Sequence, residues 1–398
     1  MSAQKSLSSI IIAAVTGLML AAASPADSAP GSIMGKPSKK PVVAKQVKKK
    51  TTITRKVEPA SNSTNASGAS LPRPLKRGAA EAATDEGPLP LKDIDENVPL
   101  PPYPVNSRTA IGELGTYTVG EEDTFADIAR HFGLGYVELR AANPGVDPWA
   151  PLPGDTLVIP SFNLLPRARQ DGIVVNLGKM RMYYFVPGRA PISYAIGIGR
   201  EGLETPIGET HIVRKVAGPT WYPTPRMRKD KPWLPSAISP GAANPLGTHA
   251  MYLGWPEFLI HGSNKPWGIG RRVSSGCMRL YPEDIVQLFG MAGPGTKVTV
   301  VDQPVLVAWV GDGLYLEANP SKLQSNNIEI DGVVSPKPMS EGLRKTIAEA
   351  AGEFSGRIDW STAERAVRDR RGYPVLIATR GSGAKSSAQE RPHNQSYN

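Results

Sequence analysis

Hydrophobic and polar positions change rhythm along this chain, and the changes divide it. Residues 7–23, LSSIIIAAVTGLMLAAA, form an apolar run relieved only by Ser, Thr and Gly. From 24 to 105 no period is visible, and Pro, Ala, Ser and Lys dominate. Such a stretch has too little apolar surface to offset the entropy of folding, so it reads as a disordered tether. Between 115 and 160 the pattern is strand–helix–helix–strand. Gly115–Val119 reads as a short strand, and Phe125, Ile128, Ala129 and Phe132 fall on one helical face. Tyr136–Ala142 gives a second short helix and Thr156–Ile159 a closing strand. Asp123 or Thr124 stands where a side-chain oxygen caps the first helix, and Gly133 ends it.

From 172 to 302 the strand pattern prevails. Gly172–Leu177 and Met180–Val186 flank Gly178-Lys179 as a hairpin, and Ile192–Ile198, Thr210–Val216, His249–Leu253, Phe258–Ile260 and Lys297–Val301 read as further strands. Pro282–Phe289 is the one helix, with Pro in its first turn and Glu283 and Asp284 at the N-terminal end. Because no helix alternates with the strands, a doubly wound sheet is excluded. Pro219–Pro245 is long, Pro-rich and Trp-bearing, which predicts a lid or substrate wall. Beyond 302, Val305–Val310 and Gly313–Glu317 predict a strand pair. Ser340 caps a helix with Leu343, Ile347 and Ala350 on one face and Gly352 as its stop. Ser361 with Glu364 predicts a capping box for a second helix ending at Gly372. The polar residues 381–398 read as a disordered tail. The fold class is therefore mainly β, with a small βααβ unit and a short helical C-terminal extension over 303–380.

Charge changes the picture of the N-terminal part only. Between residues 31 and 80 there are twelve Lys or Arg against one acid, Glu58, a surplus of eleven where the whole chain carries +10. The basic character thus belongs to the tether and not to the folded units. Residues 1–23, with Lys5 before the apolar run and Ala21-Ala22-Ala23 before Ser24, read as a secretory signal peptide. An exported basic arm fits an anionic surface, such as lipid head groups or acidic wall polymer, or serves as a charged spacer. Export argues against nucleic acid as a partner.

Cys277 is the only cysteine in 398 residues, and His261 lies sixteen positions upstream. The pair is open to two readings: a thiol nucleophile with its base, or a small buried thiol with a core histidine. Export weighs on this choice. In an oxidising compartment a single thiol has no intrachain partner and is a liability unless it does something. The remaining histidines, His131, His211, His249 and His393, have no ligand spacing, so neither a metal nor another cofactor is expected.

Two resemblances follow from these residues. YTVGEEDTFADIARHFGL, ELRAANPG and LPGDTLVIP resemble a LysM module over the whole of 115–160. That implies binding to N-acetylglucosamine-containing glycan through the loops around Gly120, Asp123 and Thr124 and around Pro144 and Gly145. TPIGE, NPLGTHAMYL, IHGSNKPWGIG and RRVSSGCMRLYPEDI resemble the catalytic domain of the L,D-transpeptidases (YkuD-like) over 172–302. This implies a β-sandwich enzyme of the periplasm acting on peptidoglycan stem peptides. In that motif His261 fills the base position, Ser274 the Ser/Thr position, Gly276 and Cys277 the Gly-Cys pair, and Met278 the apolar residue. Ser275 stands where many members have His, and Arg279 where the shorter motif has Asn.

The family also implies that the Gly262 carbonyl orients the imidazole. The backbone near Gly276 and Cys277 is then expected to hold an oxyanion. Arg279 faces either a substrate carboxylate or a structural partner. Cys277 is expected to attack the diaminopimelate carbonyl of a tetrapeptide stem, with release of D-Ala. The acceptor amine belongs to another stem or to an outer-membrane protein. Two alternatives stay open: a carboxypeptidase or endopeptidase with the same residues, and a wall-binding protein whose thiol is idle.

Overall fold

The computed structural model describes residues 100–381 apart from 331 and 333. The expected signal peptide, nearly all of the basic tether and the expected tail lie outside the described residues. Short strand β1 (Ala110–Ile111) precedes the small unit: β2 (Gly115–Thr118), α1 (Phe125–His131), α2 (Tyr136–Ala142) and β3 (Thr156–Ile159). β2 and β3 pair antiparallel from Gly115–Ile159 to Thr118–Thr156, as the strand–helix–helix–strand pattern requires. Of the two cap positions, Thr124 is used: its hydroxyl accepts from the Asp127 N–H. Phe125 and Ile128 are buried on the inner face of α1, each contributing about 1.5–3 kcal/mol of transfer free energy.

β4 (Asn163–Leu164) pairs with β1 and leads into the large sheet. Its strands in chain order are β5 (Gly172–Asn176), β6 (Arg181–Phe185) and β7 (Ile192–Ala195). A separate short strand β8 (Ile198–Gly199) follows, so the single strand expected over 192–198 is broken in two. Next come β9 (Gly208–Ala217), short helix α3 (Pro225–Asp230), β10 (His249–Leu253), β11 (Leu259–His261), β12 (Arg272–Ser274), β13 (Met278–Arg279), α4 (Pro282–Met291) and β14 (Lys297–Val301). Eight of these strands form one mixed sheet in the order β13-β11-β10-β9-β14-β5-β6-β7, while β8 and β12 pair separately.

The sheet curls until its two edges meet. Just past edge strand β7, Gly197 exchanges both backbone hydrogen bonds with Arg279 on the opposite edge, at 2.8 and 2.9 Å. The break at Ile196–Gly197 is therefore the point where the chain crosses from one edge to the other. Closure protects both edges and brings the 196–205 segment against the thiol-bearing turn. The excursion 219–245 is irregular except for α3 and a bridge between Trp221 and Ile238.

The C-terminal part is more than a helical extension. β15 (Val305–Val310) and β16 (Gly313–Ala318) pair as expected. They are followed by α5 (Lys322–Ile330), α6 (Glu341–Ala351), α7 (Trp360–Asp369) and a third strand β17 (Val375–Thr379), which pairs with β16. Leu343 and Ile347 of α6 and Ala363 and Val367 of α7 pack on this sheet as a separate core. The expected Ser361–Glu364 capping box does not form. Asp359 caps α7 by accepting from the Thr362 N–H, and its own N–H is held by the Ile377 carbonyl of β17. The Ser361 hydroxyl also donates to Asp359, and Glu364 pairs with Arg344. The small unit and the curled sheet, by contrast, share one core running from Phe125 and Leu157 to Ile173, Met251 and Ile260.

Candidate active site

β11 and β13 run parallel, with Ile260 beside Met278 and His261 beside Arg279. Cys277 lies one residue before β13, so the same register brings it to the level of Leu259. Side chains alternate across a strand, which puts Cys277, Arg279 and His261 toward one face. Leu280 N–H donates to the His261 carbonyl and locks the register.

The His261 ring is buried, and its Nδ1 lies 2.6 Å from the Gly262 carbonyl oxygen. An oxygen that only accepts requires Nδ1 to carry the hydrogen, which leaves Nε2 as the free base. Burial, helped by the Arg279 cation, pulls the imidazole pKa down to about 3 against the weaker opposing pull of the Gly262 and Leu246 backbone. Burial also pushes the Cys277 thiol up, while the Leu259 backbone and Arg279 oppose it. At neutral pH both shifts favour the uncharged groups, a thiol and a neutral imidazole.

The turn before the thiol is tightly specified. Gly276 has φ +103°, and a Cβ there would come within 2.7 Å of the Phe258 ring. Ser274 is buried. Its hydroxyl donates to the Cys277 carbonyl at 2.6 Å and accepts from the Gly276 N–H at 3.2 Å. Thr205 donates to the Gly276 carbonyl at 2.8 Å, fixing the Gly276–Cys277 peptide. The Cys277 N–H has no backbone or side-chain acceptor among the described residues, so it is free to receive an oxyanion. Ser275 is exposed and Met278 buried in the core. The thiol itself points 3.5 Å from the carbonyl of Glu257, a residue held at φ +70°. Neither Thr205 nor Glu257 was singled out from the sequence. Both act through long-range placement, and only the TPIGE segment hinted at the former.

Arg279 is half-buried, and among the described residues it has no carboxylate in ion-pair distance; its Nε has no hydrogen-bond partner. The expected choice between a structural pair and a ligand carboxylate therefore loses its first option among these residues.

In the small unit, Asp123 accepts from the Gly120 N–H at 2.7 Å and from the Tyr117 hydroxyl at 2.8 Å, so it shapes the loop it was expected to serve. Pro144 and Gly145 line an open cleft of about 630 Å³ together with Arg140 and Arg371. The Phe125 N–H donates to the Pro148 carbonyl and ties the two loops together. Trp149, at 79% exposure, is the large aromatic of these loops and was not among the expected residues.

The family model for the L,D-transpeptidase catalytic domain matches residues 170–300, and that for the LysM domain matches 117–160. The chain is 37% identical over 288 residues to the probable L,D-transpeptidase ErfK/SrfK of Escherichia coli (strain K12), covering 70% of this chain and 90% of that one. It is 36% identical over 287 residues to the probable L,D-transpeptidase YbiS of the same strain, covering 69% and 91%. A solved structure, the catalytic domain from E. faecium L,D-transpeptidase, is 26% identical, with 34% of this chain and 100% of that chain covered and a TM-score of 0.28. With more than a third of positions identical along nine-tenths of a relative, the chain belongs to the L,D-transpeptidase family.

Proposed function

We propose that Cys277 and His261 are the nucleophile and base of a peptidoglycan L,D-transpeptidase whose acyl donor is a tetrapeptide stem. The Cys277 sulfur attacks the carbonyl at the L-centre of diaminopimelate, and its proton passes to Nε2 of His261. The Cys277 N–H receives the oxyanion. Collapse expels D-Ala, whose amine takes the proton from the imidazolium, and a thioester remains. An amine then attacks the thioester, gives its proton to His261 and restores the thiol. The observation that carries this reading is the 2.6 Å contact from Nδ1 to the Gly262 carbonyl, which leaves Nε2 unprotonated on the strand paired with the one that Cys277 leads into. Arg279, without a protein carboxylate among the described residues, is the group to receive a carboxylate of the donor.

The acceptor amine is the side chain of another stem, giving a 3→3 cross-link, or an outer-membrane protein. The small unit holds the enzyme on wall glycan through the Gly120–Thr124 and Pro144–Pro151 loops, with the exposed Trp149 ring as a sugar platform. On this reading the enzyme works at the wall, in the periplasm. Contact of the basic arm with an anionic surface concerns residues outside those described.

The test is incubation with disaccharide-tetrapeptide, with and without an added amine, followed by mass spectrometry. The reading expects a Cys277 adduct lacking D-Ala, and an amine-dependent product. D-Ala release with water as the only acceptor would make the protein a carboxypeptidase instead. Full release by Cys277→Ala would remove the thiol from the mechanism.

A further inference from the structure

Fifteen residues, 262–276, separate His261 from Cys277, and two other parts of the molecule grip this loop near its middle. The Tyr136 N–H donates to the Ile269 carbonyl at 3.2 Å and the Val137 N–H to the Gly270 carbonyl at 3.3 Å, so the first amides of α2 are satisfied by the loop. The approach is close: a Cβ on Gly270 would lie 2.2 Å from the Gly135 Cα. One residue on, the Arg271 guanidinium lies over the Tyr136 ring, 3.7 Å from its centroid. The same guanidinium pairs with Glu329 of α5 at 2.9 Å, the two side chains being only 16% and 25% exposed. α5 is in turn held to α2, because Arg140 donates to the Ile328 carbonyl at 2.7 Å. Three units of the chain thus meet at one side chain.

From Arg271 a short rigid path leads to the thiol. Its carbonyl accepts from the Ile198 N–H at 3.1 Å, and β12 follows directly, paired with β8. The end of β12 is Ser274, whose hydroxyl holds the Cys277 carbonyl. A loop of this length left free would sample many positions for the thiol, and a displacement near 1 Å at a reacting atom costs about 10²-fold in rate.

We propose that Arg271, clamped between Tyr136 and Glu329, is a positioning residue that keeps the thiol end of the loop aligned with His261. The LysM-like unit and α5 are then parts of the catalytic frame as well as appendages to it. The proposal rests on the assignment of Cys277 as nucleophile.

The test measures D-Ala release (kcat and KM for the disaccharide-tetrapeptide), thermal melting, and the alkylation rate of Cys277 by iodoacetamide, which reads one thiol because the chain has no other. Arg271→Ala is expected to lower kcat by about 10- to 100-fold with KM changed by less than about threefold. Its alkylation rate should shift away from that of the parent. Tyr136→Ala should behave likewise, and Tyr136→Phe, which keeps the ring face, should restore kcat. Should Arg271→Ala not fold, Glu329→Gln at a partly exposed site serves, with a fall in kcat of at least about threefold expected.

Folded Arg271→Ala and Tyr136→Ala with parental kcat would overturn the proposal. So would a Tyr136→Phe as impaired as Tyr136→Ala, or an unaltered kcat in Glu329→Gln. Cys277→Ala is the control. If it still releases D-Ala, the nucleophile assignment fails; if it is inactive while Arg271→Ala is not impaired, only the positioning role fails.

Discussion

Arg279 stands in register beside His261 on the neighbouring parallel strand, and it is one reason that the imidazole pKa falls to about 3. A cation so placed, and lacking a carboxylate among the described residues, repels protonation of the base and is available to an incoming anion. Arg279→Gln removes both effects. The pH–rate profile of D-Ala release should show kcat/KM for a carboxylate-bearing stem reduced by about 10²-fold, with the acid limb moved to higher pH. Arg279→Lys, keeping the charge without the fork, should leave the acid limb in place and recover only part of kcat/KM.

The neutral thiol–imidazole pair separates two reactions of the same sulfur. Alkylation by iodoacetamide needs a thiolate, and burial holds the Cys277 thiol above its ordinary range. Its rate should therefore still be rising with pH where a free cysteine has reached its plateau. On the proposed mechanism acylation by the stem draws on His261, so it should proceed at neutral pH. His261→Asn is expected to cut donor acylation by about 10²- to 10⁴-fold. Alkylation measured well above the thiol pKa should remain near parental. Equal losses in both reactions would point to a collapsed site instead of a missing base.

Folding stability should carry the signature of the same histidine. A His whose pKa drops from 6.5 to about 3 on folding binds fewer protons folded than unfolded between those values. Its contribution is present in full above pH 6.5 and is lost as pH falls toward 3, with a slope of at most about 1.4 kcal/mol per pH unit. Asp284, raised to about 6 chiefly by burial, acts with the opposite sign, since its folded carboxyl holds the proton longer. Melting curves across this range should show a shallower acid decline for His261→Gln. Asp284→Asn should gain stability relative to the parent as pH rises from 3.8 to about 6, and hold that gain above it.

How far this was legible in the sequence depends on how local each feature is. The β2–α1–α2–β3 unit and the β5–β6 hairpin follow from side-chain period and from caps within a few residues, and they form as expected. The α7 cap was misread because Asp359 and Ser361 both offer an oxygen near the helix start. A distant strand decides between them, through the Ile377 carbonyl. β17 pairs with β16 more than fifty residues away; its run Val375–Thr379 is apolar and β-branched, but its partner strand is not encoded nearby. At the site, Cys277, His261 and Gly276 were visible as residue types in a motif. The grip of Tyr136 and Glu329 on Arg271 was not, since their spacing along the chain encodes nothing.

Gly276 tests the turn itself. At φ +103° any other residue is strained, and a Cβ would also press on the Phe258 ring at 2.7 Å. Gly276→Ala should cost about 1–3 kcal/mol for the backbone alone. Adding Phe258→Ala should relieve the steric part and leave the torsional part. Denaturant melts of both singles and the double would apportion the two. D-Ala release should stay low in the double variant if the Cys277 N–H needs the glycine conformation to face the oxyanion. Full recovery with the steric relief would show that the ring contact, and not φ, sets the thiol's geometry.

A buried ion pair fastens the C-terminal unit to the curled sheet. Lys179, at the β5–β6 turn, and Glu317, on β16, form an ion pair at 2.6 Å with both side chains fully buried. Glu317 also accepts from the Leu164 N–H and the Asn319 amide, and Lys179 donates to the Gly372 carbonyl, so the charges are paired and hydrogen-bonded from several sides. Taking either partner away leaves an uncompensated buried charge. Lys179→Met should therefore destabilise the protein by about 3–5 kcal/mol, read from urea melts. Lys179→Met combined with Glu317→Leu should cost much less than the sum of the two single changes, because burying a charge is the larger part of the penalty. The double variant still leaves the Leu164 N–H without its acceptor, so about 1–3 kcal/mol should remain lost. A double variant as unstable as the sum would mean that the pair contributes through its hydrogen bonds to the backbone and not through charge compensation.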